Sequence, residues 1–353
     1  MKTRTGKAFS FAELLITLTI TSILGGAAVI VLWFAFGIFS QSDAYMTANA
    51  EMELAIQRLG REFTLIGLGM PNNRKGAGSF ASAFAYPTRS PIMALMGTSG
   101  GVWGGPVTVG KANPSNVYDV SAMQQTTLDG GDVYVGPELY YAWAVPTGVR
   151  AFTSSDVKVH RGATVTVTEL LSPSGPGRAF LENFRYDGRL IGLTDDAASR
   201  GRNPASWLLF PTLRIPLLMK EWTADGLRAT LAADAGQDME GVLTGLDEVH
   251  LLQAARLYLS PDGELVQVIF GSDYTDESTS TIDVLAHNIV GLQFAYNAAS
   301  RLLTMYIAAR GNERDAVAVK TQPGGWPSWL PPIASDALSY RVATKAITWR
   351  IRN

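Results

Sequence analysis

Apolar residues dominate the first part of the chain. Between residues 14 and 42 no side chain is charged, and Leu, Ile, Val, Phe and Trp fill most positions. As an α-helix with a rise of ~1.5 Å per residue, this run would be about 43 Å long. The hydrocarbon core of a bilayer is about 30 Å thick. The pattern therefore predicts one membrane-spanning helix over residues 14–42.

The charges that flank this run differ in sign. Lys2, Arg4 and Lys7 precede it, whereas Asp43 and Glu51 follow it. Because positively charged flanks stay on the cytoplasmic side of a membrane, we expect a cytoplasmic N-terminus. The rest of the chain is then expected outside the cytoplasm.

The helical pattern continues beyond the predicted span. Apolar residues recur at spacings of three and four, at Ala44, Ala48, Met52, Ile56, Leu59, Phe63 and Ile66. The charged residues fall mostly on other faces, at Glu51, Glu53, Arg58, Arg61 and Glu62. Because Gly67, Gly69 and Pro71 interrupt the pattern, we predict a single helix over residues 9–68.

The remainder of the chain has the alternation and turn residues of β-structure. Residues 69–245 form a variable region rich in Gly, Ser and Pro, with strand-like runs at 133–135, 139–145, 157–168 and 207–210. Residues 246–353 predict an antiparallel β region made of hairpins 256–260 with 265–270 and 289–296 with 302–308, then a strand at 342–351. The fold class is therefore predicted to be α+β.

Composition narrows the function classes. The chain has 353 residues, of which 47% are hydrophobic and 17% charged, as in folded proteins. A net charge of -2 gives no bulk attraction to nucleic acid, so nucleic-acid binding is not expected. The absence of cysteine excludes disulfides, thiolate nucleophiles and cysteine metal sites.

Glu13 is an unusual residue at the start of an apolar helix. A carboxylate at the centre of a bilayer costs roughly 2.5 to 3.5 kcal/mol or more unless a cation meets it. The surrounding sequence, Lys7-Ala8-Phe9-Ser10-Phe11-Ala12-Glu13, resembles the type IV prepilin cleavage motif. In that motif a small residue precedes a Phe, and a Glu is the fifth residue of the mature chain. Ala8 stands where the family usually has Gly.

This resemblance implies a role in filament assembly. Prepilin peptidase would remove a leader of residues 1–8 by cutting between Ala8 and Phe9, and would methylate the new amine of Phe9. Glu13 would neutralise the Phe9 amine of a neighbouring subunit. The helix would form the spine of a pilin-like α+β fold and pack on a β-rich head. The implied partners are the peptidase, other pilins and the inner-membrane assembly machinery, without a cofactor.

The C-terminal region resembles PilW-type minor pilins and the related J-type pseudopilins of type II secretion. The similarity rests on three features: a strand that begins around Asn288 and Val290, the aromatic residues Phe294 and Tyr296 near its end, and a following strand that ends at Arg310. The chain terminates in Arg352-Asn353 after Trp349. The expected function is that of a minor pilin in a type IV pilus. A J-type pseudopilin and a competence or DNA-uptake pilin are the alternatives.

Two simpler interpretations of the N-terminus compete with this one. A signal peptide would be cut after the apolar run, near Ala27 or Ala28, but the run is longer than the 7 to 15 residues of a usual signal-peptide core. A simple single-pass anchor is the other possibility. Neither explains Glu13.

Sequence evidence for an enzyme is weak, and none is expected. Residues 105–112 have Walker A spacing, but Ala112 replaces the Ser or Thr that binds magnesium. We therefore expect a surface loop there. His160, His250 and His287 have no ligand-spaced partners.

Two further loops contain candidate binding residues, one for calcium and one for a protein partner. Asp273, Asp276 and Glu277 are weak calcium candidates without EF-hand spacing. The aromatic stretch 326–332 is expected either to cover the core or to contact a partner.

Overall fold

The computed structural model describes residues 10–70, 106–110, 112–113, 116–120, 124–128, 131–159, 164–167, 169–191, 204–213, 215–232, 241–271, 280–297, 299–314 and 321–352. The helices are α1 (Phe11–Phe63) and α2 (Gly177–Glu182), with short 3₁₀ turns at Pro204–Ser206 and Ala337–Ser339. The strands are β1 (Val107–Gly110), β2 (Ala112–Asn113), β3 (Asn116–Val120), β4 (Gln124–Leu128), β5 (Gly131–Gly136), β6 (Glu138–Phe152), β7 (Val157–Val159), β8 (Thr164–Val167), β9 (Glu169–Ser172), β10 (Gly175–Pro176), β11 (Arg185–Tyr186), β12 (Arg189–Leu190), β13 (Trp207–Leu209), β14 (Leu217–Trp222), β15 (Ala229–Ala232), β16 (Gly241–Leu243), β17 (Leu246–Leu259), β18 (Leu265–Ile269), β19 (Thr281–Ala286), β20 (Ile289–Asn297), β21 (Leu302–Arg314) and β22 (Tyr340–Arg350).

Helix α1 is a single uninterrupted element of 53 residues. Apolar residues and good helix formers fill it, and Ser10 caps its first turn. It ends at Phe63, five residues before the end predicted from the sequence. The chain turns there because Ile66 leaves the helix to form a β-bridge with Trp143 of β6. Gly67 and Gly69, with φ of 79° and 70°, supply the left-handed turns that follow.

The strands form two main sheets in which the paired strands are antiparallel. Among the described residues, the larger sheet has 11 strands in the order β10-β9-β6-β17-β13-β14-β15-β8, with β1 beside β6 and with β18 joining β17 to β19. The smaller sheet has five strands in the order β22-β21-β20-β5-β4. The molecule is therefore an α+β protein with one long apolar N-terminal helix and an antiparallel β head.

The two predicted hairpins and the final strand are confirmed. Leu259 pairs with Leu265 in the first hairpin. Asn297 pairs with Leu302 in the second, and β22 then pairs with β21. The hairpins, however, belong to different sheets. The sequence boundary at residue 246 also lies inside the larger sheet, because β17 pairs with β6 along most of its length.

The main core lies where α1 meets both sheets. Met52, Ala55, Leu59 and Phe63 of the helix pack against buried residues from β6, β17, β21 and neighbouring strands. Burial of apolar surface contributes roughly 25 cal/mol per Å². This contact is therefore the main source of stability that joins the helix to the head.

Candidate functional site

The first part of α1, residues 11–39, projects from the head without a buried side chain. Its large apolar side chains are exposed, with Trp33 at 79% and Phe39 at 72% of their full accessibility. The most apolar 18-residue window has a mean hydropathy of 2.3, and none of it is buried. This helix is long and apolar enough to cross a membrane. A core helix of a soluble protein would instead bury such residues.

Three threonine side chains of this free segment have hydrogen-bond partners within the helix. The hydroxyls of Thr17, Thr19 and Thr21 donate to the carbonyls of residues four positions earlier, at 2.6, 2.8 and 2.7 Å. A polar group in lipid needs such an internal partner. The threonines are therefore compatible with an apolar surrounding.

Glu13 forms a capping box with Ser10. The backbone N–H of Ser10 donates to Oε2 of Glu13 at 3.0 Å, and the N–H of Glu13 faces the hydroxyl of Ser10 at 3.4 Å. The carboxylate also lies at the positive end of the helix dipole. Glu13 thus has a local role that our sequence analysis missed, although the Ser10-x-x-Glu13 spacing is a recognised helix-start signal. Ala8 and Phe9, the predicted cleavage residues, lie outside the described residues.

The second part of α1, from Ala44 to Phe63, is held to the head along one face. Ala44, Ala48, Met52, Ala55, Leu59 and Phe63 are buried, which confirms most of the predicted stripe. Polar contacts border it. Gln41 accepts a hydrogen bond from Arg341 at 3.0 Å, and Glu53 pairs with Lys345. The helix and β22 therefore run side by side in the same direction.

Glu62 is buried at the end of this contact. Its Oε2 accepts hydrogen bonds from the Tyr141 hydroxyl at 2.7 Å and from the Gln267 amide at 2.6 Å. Burial, the largest influence, raises the pKa of Glu62 above its ordinary value, although both hydrogen bonds act in the other direction. Burial likewise raises the pKa of Tyr141. The network links α1 to β6 and β18.

The sequence analysis placed Glu62 among charges that fall mostly on other faces, and this is wrong for Glu62. It follows Ala55 by seven residues, which returns it to the buried face of a helix with 3.6 residues per turn. That spacing was available in the sequence. Its partners were not, because Tyr141 and Gln267 are distant in the chain.

The Walker-like segment is not a surface loop where the structure describes it. Residues 107–110 form β1, all four are buried, and they pair with β6. The predicted loop is therefore wrong for these positions, since their backbone groups serve the sheet. Gly105 and Lys111 lie outside the described residues.

The remaining candidates are scattered. His250 is buried 3.5 Å from Glu248, and burial lowers the pKa of His250. His287 lies 3.3 Å from Glu264 at the surface. Within the described part of the chain, no three His, Asp or Glu side chains form a group that could hold a metal ion. His160 and the calcium candidates Asp273, Asp276 and Glu277 are not among the described residues.

The aromatic stretch covers the outer face of the five-stranded sheet. Trp326, Leu330 and Ile333 are buried there against β5, β20 and β21. The Trp326 indole donates to the carbonyl of Pro331 at 2.9 Å. Trp329 is 40% exposed and meets Tyr306 edge-on at 5.5 Å. Packing is therefore the main role of this loop.

Comparison with known proteins gives no match to a family model, to a curated protein or to a solved structure. The class that the fold itself defines is an antiparallel β head carried on a long helix, half of which can enter a membrane.

Proposed function

We propose that this chain is a minor pilin: a membrane-held subunit that prepilin peptidase processes and that then joins a type IV pilus. The observation that carries the proposal is the division of α1. One continuous helix has an exposed apolar segment, which begins beside the cleavage-like motif, and a packed segment that joins it rigidly to a β head.

This division favours the proposal over a cleaved signal peptide. A cut near Ala27 or Ala28 would leave exposed apolar residues such as Trp33 and Phe36 attached to the secreted head. Together with their apolar neighbours, these side chains would form a large apolar patch in contact with water. A filament subunit instead keeps the whole segment, first in lipid and then among the helices of its neighbours. There, helix contacts replace the lost lipid contacts.

Glu13 would have two roles in this process. Its Oε2 accepts the hydrogen bond from Ser10 within the same chain. The other carboxylate oxygen would meet the methylated Phe9 amine of a neighbouring subunit. A charge pair in an apolar environment is strong because solvent screening is weak. The pair would therefore set the register of one subunit against the next.

A comparison of two Glu13 variants tests this role. Glu13→Gln keeps a capping box, because Gln serves at this position as Glu does, but it removes the charge. Glu13→Ala removes both. We expect both variants to be processed and both to be depleted from sheared filaments by about tenfold or more. Normal incorporation of Glu13→Gln would contradict the charge pairing and reduce Glu13 to a helix cap.

A further inference from the structure

The end of β21 and the start of β22 lie beside α1 near the end of its apolar run. At Gly311, an added Cβ would lie 2.6 Å from the Cβ of Ala44 and 2.9 Å from its carbonyl oxygen. Glycine allows the two backbones this close approach. Because β22 runs in the direction of α1 and β21 pairs with it antiparallel, β21 continues from Gly311 towards the free segment and ends at Arg314. We call residues 310–314 and 340–341 the β21–β22 tip.

A side-chain contact fixes the level of this tip along the helix. Arg341 donates to Oε1 of Gln41 at 3.0 Å, and Gln41 lies within the uncharged run of residues 14–42. From Phe39, whose exposed ring ends the series of large apolar side chains, to Ala44 the helix rises ~7.5 Å. The headgroup layer on each side of a bilayer is about 5 to 8 Å thick. With Phe39 at the edge of the hydrocarbon, the tip therefore lies among the headgroups.

Two arginines and a tyrosine form an ordered cluster in the tip. Cζ of Arg310 lies 4.5 Å from the centre of the Tyr340 ring, and Cζ of Arg314 lies 5.7 Å from it. Nε of Arg314 also donates to the Tyr340 hydroxyl at 3.3 Å. Neither arginine forms an ion pair with a residue that the structure describes. Because a guanidinium has five N–H donors, this cluster can still bind a phosphate.

The same end of the head also carries negative charge. Asp43 and Glu313 are exposed there, and the exposed Asp336 lies near Arg314 and Tyr340. A surface with both signs repels part of any purely anionic ligand. A zwitterionic headgroup has a phosphate for the arginines and an ammonium for the carboxylates. Tyrosine, as at Tyr340, is also enriched at this depth of a membrane.

We propose that the β21–β22 tip binds the headgroups of zwitterionic phospholipids at the surface of the membrane that α1 spans. Arg310 and Arg314 bind the lipid phosphates through charge-assisted hydrogen bonds. The head is thereby held against the membrane in one orientation. This inference rests on the membrane placement of α1 and not on processing or filament assembly.

The test measures the distance of the tip from the headgroups in vesicles of phosphatidylethanolamine and phosphatidylcholine. Because the chain has no cysteine, one introduced cysteine carries a fluorescent label. S339C places it next to Tyr340, and S300C places it beyond the other end of β21, ~35 Å away along the strands. A nitroxide attached to the lipid headgroups quenches only a nearby label. We expect strong quenching at residue 339 and little at residue 300.

Substitution of the arginines tests their contact with phosphate. R310Q/R314Q should reduce the quenching at residue 339 by at least about twofold, because it removes the charge-assisted hydrogen bonds. R310K/R314K keeps both positive charges and should keep most of the quenching. R58Q/R150Q removes two exposed arginines outside the tip and should change nothing.

Three results would overturn the proposal. Unchanged quenching in R310Q/R314Q would mean that the helix alone sets the position of the tip. An equal loss in R310K/R314K would assign the effect to stacking on Tyr340. Quenching that appears only after phosphatidylglycerol is added would assign the tip to anionic lipids. Carbonate extraction of the same vesicles should leave every variant in the membrane, and this separates a failure of the tip contact from a failure of the membrane placement.

Discussion

The two halves of α1 have the same secondary structure and opposite surroundings. Residues 11–39 expose apolar side chains all around the helix, whereas the segment from Ala44 to Phe63 buries one stripe and exposes charges elsewhere. The hydrophobic residues of the first half contribute nothing to the stability of the head. Those of the second half hold helix and head together. One continuous helix can therefore lie partly in an apolar environment and partly against the head, and each half can be altered separately.

The largest expected effect is a difference in the stability of the head when the same kind of residue is removed from each half of α1. Phe63 is fully buried, with its ring 5.1 Å from Tyr141 and 4.8 Å from Trp349. Phe63→Ala should lower the free energy of unfolding by about 3 to 5 kcal/mol. Phe34→Ala, in the free half, should leave it unchanged within about 0.5 kcal/mol. Urea titration of the full chain in detergent, followed by near-UV circular dichroism, measures both.

A second experiment compares how a charge placed in each half of α1 changes membrane binding. Leu24→Arg places a charge in the middle of the apolar run and should weaken insertion by about 3 kcal/mol. Gln57→Arg adds the same charge to the exposed face of the packed half and should have no effect. Extraction of membranes with alkaline carbonate shows which variant is released. Equal retention of both variants would contradict a membrane role for the free half.

The network of Glu62 gives a smaller and pH-dependent effect. Glu62→Ala leaves the buried Tyr141 hydroxyl without its acceptor, while the Gln267 amide keeps only the Tyr141 oxygen, and this should cost about 1 to 3 kcal/mol of stability. Glu62→Gln keeps a neutral partner and should be tolerated better.

The pH dependence follows from the raised pKa of Glu62. A carboxyl whose pKa is higher in the folded state favours folding most in its protonated form. The stability that it contributes is present below its ordinary pKa and is lost as pH rises through the folded-state value. The unchanged protein should therefore lose stability relative to Glu62→Gln between acidic and neutral pH. A constant difference between the two urea midpoints over that range would show that Glu62 does not titrate this way.

The smallest effect belongs to the ion pair at the border of the helix contact. Glu53 and Lys345 are both partly exposed to solvent. Exposed pairs contribute about 0.2 to 1 kcal/mol. A double-mutant cycle with Glu53→Gln and Lys345→Gln should give a coupling in that range that decreases as salt is added. A coupling above this range would mean that the pair, and not the apolar stripe, is a major link between helix and head.

How much of this the sequence predicts depends on the distance over which residues interact. The helix and hairpins are local patterns, so the apolar stripe and the turn residues at 261–264 and 297–300 were sufficient to predict them. The pairing of β6 with β17 joins residues about a hundred positions apart and has no local signal. Glu62 shows the same limit, because its place on the buried face could be read from spacing but its partners could not.

The central claim is that this chain is processed as a pilin, and intact mass tests it most directly. The protein is purified from cells with and without prepilin peptidase. The account predicts a mass that begins at N-methylated Phe9 only when the peptidase is present. An unprocessed chain in both cells would contradict the claim and leave α1 as a simple membrane anchor.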